Sequence, residues 1–328
     1  MNLKINPATT KFFISINQQG PHTFIMAGIY EEIKTLHVLC RVGKIADTEN
    51  LSLNLCLNVL SWFFNTCFFS TKAILKDEGV ARKHSNATDI HYQAYEITYE
   101  HYLELVQLLE SVQTTSNKFT CYKPNASYGD TVELRLTSDL ILDKKPKYPA
   151  LEKSANELSI NNNCRHTAIY LVEQVSKTHI SPMVSTLFTS KLPYSTRLEF
   201  GEPTTTIPFY VLPVSPAAFN DINKTQKYIL EKLYRRMEQL VTIDPESLHT
   251  QKKFLALKSL YNEQLGPQKN LSLHELLVSI QSWKKANKDI LSPLRKKYFW
   301  DDYITRQSAS SKLLDEIEQN LYIELTPS

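Results

Sequence analysis

In Ser159-Ile-Asn-Asn-Asn-Cys164-Arg-His-Thr-Ala-Ile-Tyr-Leu-Val-Glu173 an asparagine run ends at a cysteine and an amphipathic helical pattern begins. Asn is a preferred N-cap because its side-chain oxygen accepts from the unpaired N–H groups of a first helical turn. The helix is therefore expected to start at about Asn163, with Cys164 in its first turn. Helical spacing runs from Cys164 to Ala168, Leu171, Val172 and Val175, so the sulfur shares an apolar stripe that must face a sheet. A thiol there lies in the positive field of the helix dipole, which lowers its pKa and favours the thiolate. Cysteine is also a common packing residue in such a stripe. A nucleophilic role thus requires a general base from elsewhere in the chain.

A sheet for that stripe is legible upstream. Phe12 to Asn17 reads as a strand, Gln18 to Pro21 as a turn, His22 to Ile29 as a second strand, and Thr35 to Val42 as a third that ends at Gly43. In the first hairpin the expected register sets Asn17 opposite His22 and Ser15 opposite Phe24, which places Ser15, Asn17 and His22 on one face. Lys76 to Asp89 and Lys144 to Pro149 read as loops, Tyr92 to Thr98 as a strand, and Lys118 to Leu142 as one or two more. Tyr99 to Val112 carries Tyr102, Leu105, Val106 and Leu109 at helical spacing. Leu51 to Ser70 contains no charged residue and is long enough to span a membrane. Asn54, Asn58 and Asn65 would be costly in lipid, so a core helix is the favoured expectation over membrane contact.

Ser181 to Ser215 reads as irregular extended chain, and beyond Pro216 the pattern turns helical: Lys224 to Val241, Pro245 to Gln264, Ser272 to Asn287 and Ser310 to Leu321. The first of these sets Ile229, Leu230, Leu233, Met237, Leu240 and Val241 against a charged side of Lys227, Glu231, Arg235 and Glu238. The expected fold is α+β, an antiparallel sheet packed on the Cys-bearing helix over residues 1–215, followed by an all-α domain over 216–328. A net charge of +3, from 37 basic and 34 acidic residues, is no polyelectrolyte signature, and nucleic acid is not an expected partner. With 7 glycines and no GxGxxG or Walker pattern, a nucleotide loop is not expected either. Five cysteines without a CxxC pair imply neither a zinc site nor a disulfide framework, and no metal or cofactor is expected. The N-terminal stretch lacks the apolar core of a signal peptide.

Among the histidines, His166 follows Cys164 by two residues and lies on the wrong side of the helix, His101 falls within a helix, and His84 and His91 lie in or beside a polar loop. His22 opens a strand after a turn, on the meander that faces the Cys164 helix. The order Gly20-Pro-His22-Thr-Phe-Ile, then the strand and helix of Tyr95 to Glu110, then Asn162-Asn-Cys164, resembles circularly permuted papain-like cysteine hydrolases. It is similar to the NlpC-type peptidases and the lecithin:retinol acyltransferases, in which His precedes Cys. The resemblance covers about residues 10–176. It implies Cys164 as nucleophile and His22 as base, and in acyltransferase-like members a second histidine on the next strand, here His37. Ser15 and Asn17 are equally placed by face for the third role. The Cys164 N–H, with the side chain of Asn161 or Asn162, would supply oxyanion donors, and capping is the alternative for those asparagines.

The Asn- and Lys-rich composition and the acidic C-terminal stretch, with Asp315, Glu316, Glu318 and then Leu325, resemble Legionella effectors delivered by type IV secretion. That resemblance implies entry into a host cell without a signal peptide and a host protein as substrate or partner. The expected activity is hydrolysis of a peptide or isopeptide bond. Acyl transfer or lipid-acyl hydrolysis by the same Cys-His pair remains open, as does a non-enzymatic binding role on the same scaffold.

Overall fold

The computed structural model describes residues 2–47, 71–80, 87–141, 147–180, 182–187, 189–266, 269–294 and 307–326. The 51–70 window and His84 lie outside them. The architecture is mixed α+β around a large antiparallel sheet, and the chain divides into two compact units, Met1–Val211 and Leu212–Ser328.

In the first unit the strands are β1 (Asn2–Ile5), β2 (Phe12–Gln19), β3 (His22–Glu31), β4 (Lys34–Ala46), β5 (Thr71–Asp77), β6 (Thr88–Ile97), β7 (Cys121–Tyr128), β8 (Thr131–Thr137), β9 (Glu157–Leu158), β10 (Tyr194–Glu199) and β11 (Glu202–Pro203). The helices are α1 (Tyr99–Val112), α2 (Pro149–Asn156) and α3 (Cys164–Ser176). The main sheet runs β11-β10-β6-β2-β3-β4-β5-β9, and β1-β8-β7 form a second, three-stranded sheet.

β2 and β3 are buried along almost their whole length because both faces of the sheet centre are covered. Phe12 stacks against Tyr102 of α1, with ring centroids 5.9 Å apart, while Phe13 meets Phe209 at 5.0 Å. Adjacent side chains of a strand point to opposite faces, so these two contacts mark two layers of cover. α3 packs across β2, β3 and β4, burying Ala168, Leu171, Val172 and Val175 as its periodicity requires. Leu171→Ala, which empties a site 1% exposed, is expected to lower unfolding free energy by about 2–5 kcal/mol in a denaturant titration.

Several boundaries differ from expectation. Gln19 pairs with His22 and Asn17 with Phe24, so the hairpin turn is only Gly20-Pro21 and the register is two residues tighter than expected. Gly20 has φ +57°, which fits a type II′ turn, whereas the proline at the second position excludes type I′. β4 runs through Gly43 instead of ending there. β5 reaches Asp77 and β6 starts at Thr88, both inside the stretch expected to be loop. Pro149 opens α2 rather than closing a loop, since proline lacks a donor that the first helical turn does not use.

The second unit holds α4 (Lys224–Ile243), α5 (Leu248–Ser259), α6 (Leu273–Ala286), α7 (Lys288–Leu291) and α8 (Ala309–Leu325), with a wider helical turn over Leu260–Gln264 after α5. The apolar side of α4 is buried as its spacing demands, but Glu238 is buried with it, beside Tyr234, instead of facing solvent. Ser272 and Glu275 form a reciprocal capping box at the start of α6. Among the described residues, no helix is long and apolar enough to cross a membrane.

Candidate active site

α3 begins where its sequence directs. Asn163 is the N-cap, and its Oδ1 accepts from the N–H groups of Arg165 at 2.9 Å and His166 at 3.3 Å. Cys164 thus occupies the first helical position, half-buried, with an N–H that this cap does not take. Its Sγ accepts from the Thr23 N–H at 3.3 Å. The β3–β4 ladder begins one residue later, at Phe24 opposite Gly43, so this strand-end N–H is directed at sulfur instead of at a neighbouring strand. Arg165, fully buried, fixes the same turn: its guanidinium donates to the carbonyls of Ser185 at 3.1 Å and Ser190 at 2.8 Å, and Nε to Thr23 Oγ1 at 3.4 Å.

His22 lies between the two other groups that meet the sulfur, the Thr23 N–H and the Pro21 carbonyl at 3.8 Å from Sγ, and it interacts electrostatically with Cys164. Its Nε2 makes a short contact with Glu78 Oε1, so Nδ1 is the ring nitrogen that Glu78 does not take. The second carboxylate oxygen of Glu78 accepts from Arg41 Nε at 3.1 Å, and Arg41 in turn lies 4.2 Å over the ring of Phe24. The Glu78 side chain is 9% exposed and that of His22 30%, so the carboxylate sits behind a ring that solvent still reaches. Gly43 forms the floor of this pair. A Cβ there would stand 2.0 Å from Glu78 Oε1 and 2.8 Å from His22 Nε2.

The electrostatics follow from these contacts. Burial disfavours the imidazolium of His22, but hydrogen bonds with Cys164 and Glu78 and the negative charge of both outweigh it, raising the pKa to about 9. Burial pushes the Cys164 thiol up, and the bond with His22, the Thr23 N–H and the imidazolium charge together bring it below its ordinary value. Burial likewise disfavours ionised Glu78, but His22 and Arg41 hold its carboxyl below the usual range. The arrangement therefore favours a thiolate–imidazolium pair backed by a carboxylate.

The other residues singled out from the sequence do not join this cluster. Had the Phe24–Gly43 register continued unbroken, His37 would have faced Tyr30, on the side of His22. An irregularity between Ala27 and Gly28 sets it opposite Ile29, and parity is lost. Its ring instead meets Tyr122 Oη at 2.9 Å and Glu202 Oε1 at 3.3 Å. Ser15 and Asn17 do share the His22 face of the sheet, but they bond to each other, at 2.9 Å, and to the carbonyls of Met26 and Phe24. Asn161 is exposed, and the cap is Asn163 rather than Asn161 or Asn162. Asn162 donates its amide to the Glu157 carbonyl at 3.0 Å, which turns that group away from an oxyanion role.

Glu78 and Arg41 were not singled out. Glu78 fell in a polar stretch read as loop. A usable signal was Gly43, a glycine inside a strand pattern of a glycine-poor chain, which marks close approach by another group. No group of three or more His, Cys, Asp or Glu able to hold a metal occurs among the described residues. Comparisons with protein-family models, curated proteins and solved structures found no significant match.

Proposed function

We propose that this chain is a cysteine-dependent hydrolase of peptide or isopeptide bonds, with a first unit of the circularly permuted papain-like kind. The observation that carries the reading is the line from Arg41 through Glu78 and His22 to the Cys164 sulfur. In this mechanism the Cys164 thiolate attacks the substrate carbonyl carbon, and the oxyanion forms beside the Cys164 N–H at the positive end of α3. The His22 imidazolium gives its proton to the leaving amine as the C–N bond breaks, leaving a thioester. His22, now neutral, takes a proton from water, and the hydroxide displaces the Cys164 sulfur to release the acid and restore the ion pair. Glu78 keeps the proton of the neutral ring on Nε2, so Nδ1 faces the reacting groups.

Alkylation kinetics test the premise without knowledge of the substrate. At pH 6, Cys164 is expected to react with iodoacetamide about 10-fold or more faster than a free model thiol, and His22→Ala to remove the advantage. A Cys164 rate that climbs with pH through the ordinary thiol range, as the model compound's does, would leave only a binding role for this scaffold.

A further inference from the structure

We propose that Lys44 is a positioning residue for the nucleophile: from β4 its buried ammonium clamps the turn that delivers Cys164 into α3 and adds a positive charge near the sulfur. The inference rests on the cysteine-hydrolase reading. Lys44 is 3% exposed, and its Nζ donates to the Asn162 carbonyl at 2.7 Å and to Asn162 Oδ1 at 3.0 Å. Buried lysines are uncommon without a paired anion, and both acceptors here are neutral. An ammonium has three donors, so one remains beyond the two that Asn162 takes.

Asn162 is an effective handle on the helix. Its side chain also accepts from Ser154 Oγ at 3.3 Å and donates to the Glu157 carbonyl, and its N–H donates to the Ser159 carbonyl at 3.1 Å. The next residue is the Asn163 cap, and the one after is Cys164. Holding Asn162 to β4 therefore fixes where α3 begins. The same strand holds the other half of the site, since Arg41 grips Glu78 and Gly43 makes room for the Glu78–His22 pair. One strand sets both the nucleophile and the group that orients its base.

The charge of Lys44 is felt at the sulfur and at its neighbours. Its electrostatic partners are the Cys164 thiolate and the Glu157 carboxylate, and burial lowers its own pKa to about 8. The charges that act on the sulfur are those of His22 from β3, with Glu78 behind it, Lys44 from β4, and Arg165 from α3 itself. His166 is held toward its neutral form by burial and by Lys44 and Arg165, and does not offset them.

The test is the pH dependence of Cys164 alkylation in the full chain, compared among wild type, Lys44→Met and Lys44→Arg. Lys44→Met is expected to move the midpoint up by about one pH unit, cutting the rate at pH 6 about 10-fold but changing the high-pH plateau by less than about 2-fold. Lys44→Arg, which keeps the charge, is expected to return the midpoint toward wild type. A purely structural lysine would change thermal stability alone, and a folded Lys44→Met chain with an unshifted midpoint overturns the proposal. If that variant does not fold, Lys44→Gln keeps a donor for Asn162 without the charge and is judged by the same shift. A wild-type midpoint at the ordinary thiol value would refute the hydrolase reading. The shift between wild type and variants would still decide the role of Lys44.

Discussion

Glu78→Gln is expected to reduce kcat/KM by about 10³- to 10⁴-fold while leaving the fold intact. The amide has the shape of the carboxylate, but its two ends are no longer equivalent. Arg41 Nε needs an acceptor and draws the amide oxygen, which turns the NH₂ toward His22 Nε2. That nitrogen must then accept, so the proton of the neutral ring moves to Nδ1 and points at the sulfur. The ring can no longer take a proton from the thiol. The pH profile carries the same signature. His22 is raised to about 9 partly by the bond and charge of Glu78, so without them it loses its proton at lower pH and the alkaline limb moves down. Cys164, with a weaker imidazolium partner, keeps its proton to higher pH, and the acid limb moves up. The active window narrows from both sides. Wild-type kcat/KM in a folded Glu78→Gln chain would remove Glu78 from the mechanism.

Gly43→Ala acts on the same pair by displacement rather than by loss of charge. The added Cβ would stand 2.0 Å from Glu78 Oε1, far inside van der Waals contact, and 2.8 Å from His22 Nε2. Gly43 does not have a positive φ, so alanine is compatible with its backbone, and in a strand it removes the entropy penalty of glycine. What must move is the Glu78 carboxylate, held on one oxygen by His22 and on the other by Arg41, and with it the His22 ring. A displacement of about 1 Å at a reacting group costs about 10²-fold in rate, and here two linked groups shift together. The expected result is a folded chain with a lower melting temperature, because the buried Glu78 is pushed from its place between His22 and Arg41, and kcat/KM lowered about 10²- to 10³-fold. Undiminished turnover would show that the Glu78–His22 contact is not needed.

Near-neighbour chemistry was readable from residue order. The asparagine cap and the stripe from Cys164 through Val175 give a helix over Cys164–Ser176, because capping and helical period act within four residues along the chain. Tyr99–Val112 appears as its spacing predicts, and the four C-terminal helical patterns lie within a residue or a few of the observed helices. The parity that puts Ser15, Asn17 and His22 on one face also survives, although the turn is tighter by two residues, since an even shift leaves every side chain on its own face. A single bulge on the next hairpin has the opposite effect and takes His37 out of reach.

What residue order determined was a cysteine at the head of an amphipathic helix and a histidine at the start of a strand, each set by local caps, turns and periods. Tertiary structure alone decided that the two meet, and that Glu78, Arg41, Gly43 and Lys44 surround them. Those four depend on β4 lying between β3 and β5 and on the first turn of α3 resting beside it. Strand neighbours and their register are long-range pairings chosen by the packing of the whole sheet, and no window of adjacent residues encodes them.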